Sequence, residues 1–201
     1  MKLYFSPTSP YVRKVTVLIH EAGIEGVERV PAAGTPVDPG TMPVDRNPLG
    51  KVPALDRPDG PTLYDSRVIC RYLDTRFAAG FYPAPPRLWD TLTLEATADG
   101  ILDAAVLMVY EIRLRPEGIR HEPWIEAQWA KVDRALDAVE SRWMPHLSEP
   151  IDMAQIALGC ALGYLDFRHD ARNWRAGRAH LAAWESAFAR RPSMVATRPP
   201  V

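Results

Sequence analysis

Ser9 stands directly before Pro10, and Val12, Val15, Ile19 and Ala22 then recur at helical spacing up to Gly23. Serine at the N-cap, proline at the first helical position and glycine just past the end punctuate a helix. A helix N-terminus offers unpaired N–H groups and the positive end of the macrodipole, so it favours an anion. The Ser9 hydroxyl is then either a donor to that anion or, as serine before a helix usually is, a cap and nothing more. Tyr4 and Tyr11 are rival hydroxyl donors nearby. Asp65-Ser66 repeats the arrangement ahead of Val68, Ile69, Tyr72 and Leu73. Asp99 and Asp103 lie four apart and share a helix face, but two carboxylates without a nearby histidine supply too few ligands for a metal. His20, His121, His146, His169 and His180 are scattered. None has metal-ligand spacing, no Ser/His/Asp hydrolase pattern surrounds them, and no glycine-rich phosphate loop exists. Cys70 and Cys160 are the only cysteines, and both read as core residues.

The elements that must position these groups follow from where proline falls. The chain has 201 residues and 20 prolines, 13 of them within residues 1–86 and four between 87 and 191. Proline breaks helix interiors, so the sparse region holds the long helices and the crowded one uses short elements and turns. Hydrophobic residues at 47% argue against reading the prolines as disorder. Residues 2–5, 27–31, 52–55 and 62–64 read as strands, and 9–23 and 66–73 as helices, giving β-α-β, a long loop over 32–50, then β-β-α. Pro83, Pro85 and Pro86 read as an extended linker. The expected division is therefore 1–79, a linker 80–86, and an all-helical domain 87–201. In that domain one long helix occupies 87–115. A second carries the core stripe Trp129, Val132, Leu136, Val139 and Trp143. A third opens with a capping box of Asp152 and Gln155, with Ile151 and Ile156 as its hydrophobic staple. Leu181, Trp184 and Phe188 mark a last amphipathic helix, and the tail from Arg190 to Val201 is expected as irregular coil.

Several functions drop out on composition. The formal net charge is −1, which suits neither nucleic acid nor an anionic membrane. No apolar run reaches the length of a membrane span, the start is too quickly polar for a signal peptide, and two cysteines make no disulfide framework. A reduced cytoplasm is the expected location.

The strings Ser-Pro-Tyr-Val at 9–12, Asn-Pro-Leu-Gly-Lys-Val-Pro-Ala-Leu at 47–55 and Leu-Tyr-Asp-Ser at 63–66 resemble, in order and spacing, the thioredoxin-like domain of the glutathione S-transferase family. The likeness continues through 95–101 and 150–168, so it covers nearly the whole chain, and within the family it resembles the bacterial YibF-like group, whose substrates are poorly defined. The resemblance implies an α/β thioredoxin-like N-terminal domain followed by an all-α C-terminal helical bundle. It implies an enzyme that binds glutathione as co-substrate, with no resident cofactor or metal, and conjugates its thiolate to a small hydrophobic electrophile. Ser9 would donate to the glutathione sulfur, where thioredoxin-like relatives carry a cysteine. With no resident thiol at that position, disulfide-reductase chemistry is disfavoured. Val52-Pro53 would be cis and pair with the peptide's backbone as an added strand would. Ser66 would hold the γ-glutamyl carboxylate, Asp65 the ammonium group and Lys51 the glycyl carboxylate. Asp99 would reach the ammonium group of a partner subunit's glutathione across a homodimer interface. Tyr110, Met108 and residues near Arg113 and Trp174 are the expected wall for the second substrate. The competing readings are a protein of this fold that acts through protein–protein contacts without catalysis, and glutathione-dependent peroxide or dehalogenation chemistry.

Overall fold

A computed structural model describes residues 1–200; Val201, the end of the expected coil tail, lies outside the described residues. Alternating short strands open the chain. β1 (Lys2–Phe5), α1 (Pro10–Glu21) and β2 (Glu28–Pro31) form a β-α-β unit, and β3 (Ala54–Arg57), β4 (Gly60–Leu63) and α2 (Ser66–Phe77) follow the long loop. The sheet order is β2-β1-β3-β4, with β1 and β2 parallel and β3 antiparallel to both β1 and β4. Leu3 and Leu55 sit opposite each other in the central pair and are both fully buried. α1 and α2 pack together, and their apolar positions Val12, Val15, Leu18, Ile69 and Leu73 are buried with them.

The details of this region depart from the sequence reading. The third strand begins at Ala54, two residues later than expected, because Pro53 has no N–H for a ladder. Within the proline cluster Pro85 and Pro86 form a turn; the Val52–Pro53 and Pro85–Pro86 peptides are cis, and α3 follows at once.

The rest of the chain is helical. α3 (Arg87–Leu114), α4 (Glu122–Ala138), α5 (Met144–Leu147), α6 (Met153–His169) and α7 (Ala179–Phe188) form a second compact unit, residues 83–191, with a π-helical turn at Val139–Trp143 between α4 and α5. α3 packs on both α6 and α4. α6, rich in small residues, is the most buried helix: Ala154, Ala157, Cys160 and Ala161 have no exposed surface. Val132, Leu136 and Val139 are fully buried, whereas Trp129 and Trp143 lie at the edge of that stripe, Trp129 beneath the Arg172 guanidinium at 5.4 Å. Met108 and Trp174 are 1% exposed, and Trp174 donates to Asp166 at 2.8 Å. They are core residues of the helical unit, so Met108 is not available as a wall for a second substrate.

The tail is the other correction. Pro192–Ala196 is a helix, α8, and it groups with the first unit, residues 1–82, not with the helices that precede it in the chain. No helix among the described residues is long and apolar enough to cross a membrane.

Candidate functional site

The strand register brings the three N-terminal strings to one end of the sheet. Tyr4 pairs with Ala54, so Val52–Pro53, just before β3, lies beside the end of β1, from which the chain turns into Ser9. Leu55 pairs with Leu63, so Tyr64–Asp65, just after β4, lies at that same end. Three adjacent strands span about 10 Å at the usual inter-strand spacing. Ser9, Val52–Pro53 and Asp65–Ser66 therefore line one edge of about that width, and the N-termini of α1 and α2 both open onto it.

Each group is held by its own local structure. Ser9 is the N-cap of α1, in extended backbone, and its Oγ accepts from the Val12 N–H at 3.3 Å. That bond uses a lone pair and leaves the hydroxyl proton for another acceptor. The Ser9 N–H donates to the Ser6 carbonyl at 3.1 Å, and its carbonyl accepts from Arg13 N–H at 3.0 Å. Tyr4 is differently placed: its hydroxyl donates to Asp56 Oδ2 at 3.1 Å. Burial, the Asp56 hydrogen bond and the Asp56 charge all raise the Tyr4 pKa above the ordinary phenol value. Its proton is thus committed to the Asp56 carboxylate. Tyr11 lies half-buried in the first turn of α1.

The Val52–Pro53 peptide is cis. A residue that sequence reasoning passed over holds the turn before it. Asn47 is 2% exposed; its Nδ2 donates to the Lys51 carbonyl at 2.8 Å and its Oδ1 accepts from Leu49 N–H at 3.0 Å. Gly50 completes that turn at a φ of +61°, a conformation in which a side chain would be strained. Asn47 thereby fixes the backbone on which Lys51 and Val52 sit, while the Lys51 side chain is exposed. The signal was its place at the head of an Asn-Pro turn string, where a short amide bonds its own backbone.

Asp65 is the N-cap of α2 and accepts from the Arg67 N–H and guanidinium, each at 2.9 Å. Burial pushes its carboxyl up, but the Arg67 hydrogen bonds and charge, with the nearby charge of Lys14, outweigh that and hold it below the ordinary aspartate range. Lys14 itself is fully buried in α1, a placement its charge gave no reason to expect. Ser66 opens α2 and is 2% exposed; the Tyr64–Asp65 peptide before it is cis. Asp99 lies in the helical unit at 5% exposure, whereas Asp103, one turn on, is exposed. The two share a helix but not an environment. Among the described residues no group of three His, Cys, Asp or Glu side chains could hold a metal ion, and both cysteines are buried.

Comparison with known proteins places this geometry. Residues 8–76 match the model of the glutathione S-transferase N-terminal domain, and 122–186 that of the C-terminal domain. The chain is 35% identical to the GST-like protein YibF of Escherichia coli (strain K12) over 100% of its own length and 99% of that protein's. A glutathione transferase family member from Pseudomonas fluorescens Pf-5, solved with bound glutathione, superposes with a TM-score of 0.96 at 46% identity, covering 100% of this chain and 99% of that one. A glutathione S-transferase from Methylobacillus flagellatus KT, solved with GSH bound, gives 0.86 at 40% identity, with 99% of each chain covered. Sequence and fold agree from end to end, and the chain belongs to the glutathione S-transferase family.

Proposed function

We propose that the protein is a glutathione transferase in which Ser9 stabilises the thiolate of bound glutathione for attack on a small, hydrophobic electrophile. The observation that carries this reading is the convergence of Ser9, cis Val52–Pro53 and Asp65–Ser66 on one end of the sheet. An extended tripeptide spans about 10 Å, the width of that edge. Its backbone would pair with Val52, and its γ-glutamyl end would lie at the α2 N-terminus, with the carboxylate on Ser66 and the ammonium group near Asp65. The low-titrating Asp65 carboxylate is charged at neutral pH, as that contact requires. Lys51, on its Asn47-braced turn, would take the glycyl carboxylate. The cysteinyl sulfur would then fall at the α1 N-terminus. There the Ser9 hydroxyl donates to S⁻, the helix dipole favours the charge, and the thiol proton leaves to solvent. The tripeptide is a co-substrate and no resident cofactor enters the scheme. Glutathione is named as the bound molecule in the two solved relatives, which supports the same ligand here.

Retention on immobilised glutathione is the direct test. The protein is expected to bind and to elute with free glutathione, and no binding at millimolar ligand would sink the assignment. Replacing Ser66 with alanine should weaken binding about tenfold, since a charge-assisted hydrogen bond to a carboxylate contributes about 1.5 kcal/mol or more. Binding without turnover across a panel of electrophiles would instead favour a non-catalytic role for the fold.

We also infer a homodimer. On α3 the exposed residues Trp89, Thr93, Ala96, Gly100, Asp103, Leu107 and Tyr110 recur at alternating four- and three-residue steps. Such a stripe, with one charge and small residues at its centre, fits close approach of a second helix. A Cβ at Gly100 would meet nothing within 4 Å, so Gly100→Arg leaves the chain's own packing intact. The variant is expected to sediment as a monomer where the wild type sediments as a dimer. Asp99 is covered within its own chain, and its contact with a partner's ligand rests on the family resemblance alone. Two buried cysteines suit a reducing cytoplasm.

A further inference from the structure

The last described residues return to the first unit and grip α1 at both ends. Arg13 lies one turn beyond Ser9, and its guanidinium donates to the Met194 carbonyl at 3.0 Å and to Thr197 Oγ1 at 3.4 Å. Toward the other end of α1, Ser193 donates to the Glu21 carboxylate. Arg13 and Glu21 are eight residues apart, about 12 Å along a helix, so a five-residue helix with its flanks covers most of α1. Ser193 and Met194 are 4% and 2% exposed, and the Thr197 hydroxyl closes the segment by donating to the Ser193 carbonyl at 2.8 Å. The Arg13 backbone N–H is also the donor to the Ser9 carbonyl, at 3.0 Å. One residue thus joins the tail, through its side chain, to the N-cap serine, through its amide.

We propose that residues 192–197 act as a strap that fixes the first turn of α1, with Arg13 as the positioning residue that transmits the constraint to Ser9. The bond from Val12 N–H to Ser9 Oγ is long at 3.3 Å, so the cap alone holds the hydroxyl weakly. A helix end frays when its flanking contacts are lost. With the strap in place, the hydroxyl is presented in one orientation at the sheet edge. The consequence for thiolate chemistry rests on the proposed function; the constraint on α1 does not.

The test compares full-length wild type with Arg13→Ala, Arg13→Lys and the milder double variant Ser193→Ala/Thr197→Val. The first readout is amide hydrogen exchange over residues 11–15, without ligand. In Arg13→Ala these amides should exchange about tenfold faster, with α2 unchanged, and Arg13→Lys should recover part of the protection because it keeps a donor for the Met194 carbonyl. The second readout is the pH dependence of thiolate formation by bound glutathione. Its midpoint should rise by about one unit in Arg13→Ala, a tenfold loss of thiolate below it. Unchanged exchange in both Arg13→Ala and the double variant would overturn the strap. Faster exchange with an unmoved pH midpoint would overturn its connection to Ser9. If the wild type forms no thiolate, the proposed function fails, while the exchange experiment still decides the strap.

Discussion

Replacing Ser9 with alanine is expected to lower the rate of glutathione conjugation about a hundredfold while changing glutathione affinity less than threefold. A single preorganised donor aimed at developing or resident negative charge contributes about 3 kcal/mol, a hundredfold or more in rate. The tripeptide, by contrast, is held mainly by Val52, Lys51, Asp65 and Ser66 in the proposed scheme. The same substitution also deletes an N-cap, which costs about 1 kcal/mol of stability and a few degrees in Tm for a chain of this size. That loss is too small to leave an appreciable unfolded fraction at room temperature. A hundredfold loss of rate with a melting shift of only a few degrees therefore reports chemistry and not unfolding. Ser9→Thr, which keeps both the cap and the hydroxyl, should retain most of the rate. Tyr4→Phe provides the contrast. Its hydroxyl is engaged by Asp56 and its pKa is raised by burial and that carboxylate, so the rate should change by less than about threefold. If Ser9→Ala conjugates at the wild-type rate, the donor lies elsewhere, and Tyr11 is the next hydroxyl to remove.

How far the sequence could be read depended on whether the signal was local. Ser9, Pro10 and Gly23 bound α1 because caps and terminators act on their own backbone, and the helix runs from Pro10 to Glu21 between them. The capping box of Asp152 and Gln155 is present for the same reason. What escaped was decided by partners distant in the chain. Tyr4 and Ser9 are equal hydroxyls on paper; Asp56, 52 residues away, separates them by accepting the tyrosine proton. Asp99 and Asp103 are equal carboxylates on one helix face, yet α3 buries a wide arc against both α6 and α4, and only Asp99 falls within it. The tail read as coil because a five-residue helix has almost no periodicity to detect. Its helical form is stabilised by Arg13 and Glu21 on α1, more than 170 residues earlier. The site strings occupied an intermediate position. Their spacing identified them, but only the sheet register explains why they meet: β1 and β4 end, and β3 begins, on the same edge.

The largest stability effect is expected from Asp152→Ala. Asp152 is 2% exposed and serves five partners. Its Oδ1 caps α6 by accepting from Ala154 N–H at 3.0 Å and Gln155 N–H at 3.3 Å. Its Oδ2 accepts from the Thr91 hydroxyl at 2.8 Å, lies 2.8 Å from His146 Nε2, and stands 3.5 Å from the Arg87 guanidinium. One carboxylate thus joins the start of α3, the short α5 and the N-terminus of the most buried helix. Removing it deletes a cap, at about 1 kcal/mol, and takes the carboxylate partner from the part-buried His146, at about 1–3 kcal/mol, while the Thr91 hydroxyl keeps the Arg87 carbonyl as an acceptor at 3.2 Å. The sum is about 3 kcal/mol, and at about 2–4 °C per kcal/mol the melting temperature should fall by about 9 °C. Asp152→Asn should lie between the two, because asparagine caps about as well as aspartate but presents one oxygen fewer to Thr91, His146 and Arg87. Gln155→Ala should cost less than Asp152→Ala, since it releases the carbonyls of His146, Leu147 and Glu149 but keeps the Asp152 carboxylate. Calorimetry on the three variants orders them, and an Asp152→Ala protein melting within about 3 °C of wild type would show that the junction contributes far less than its geometry requires.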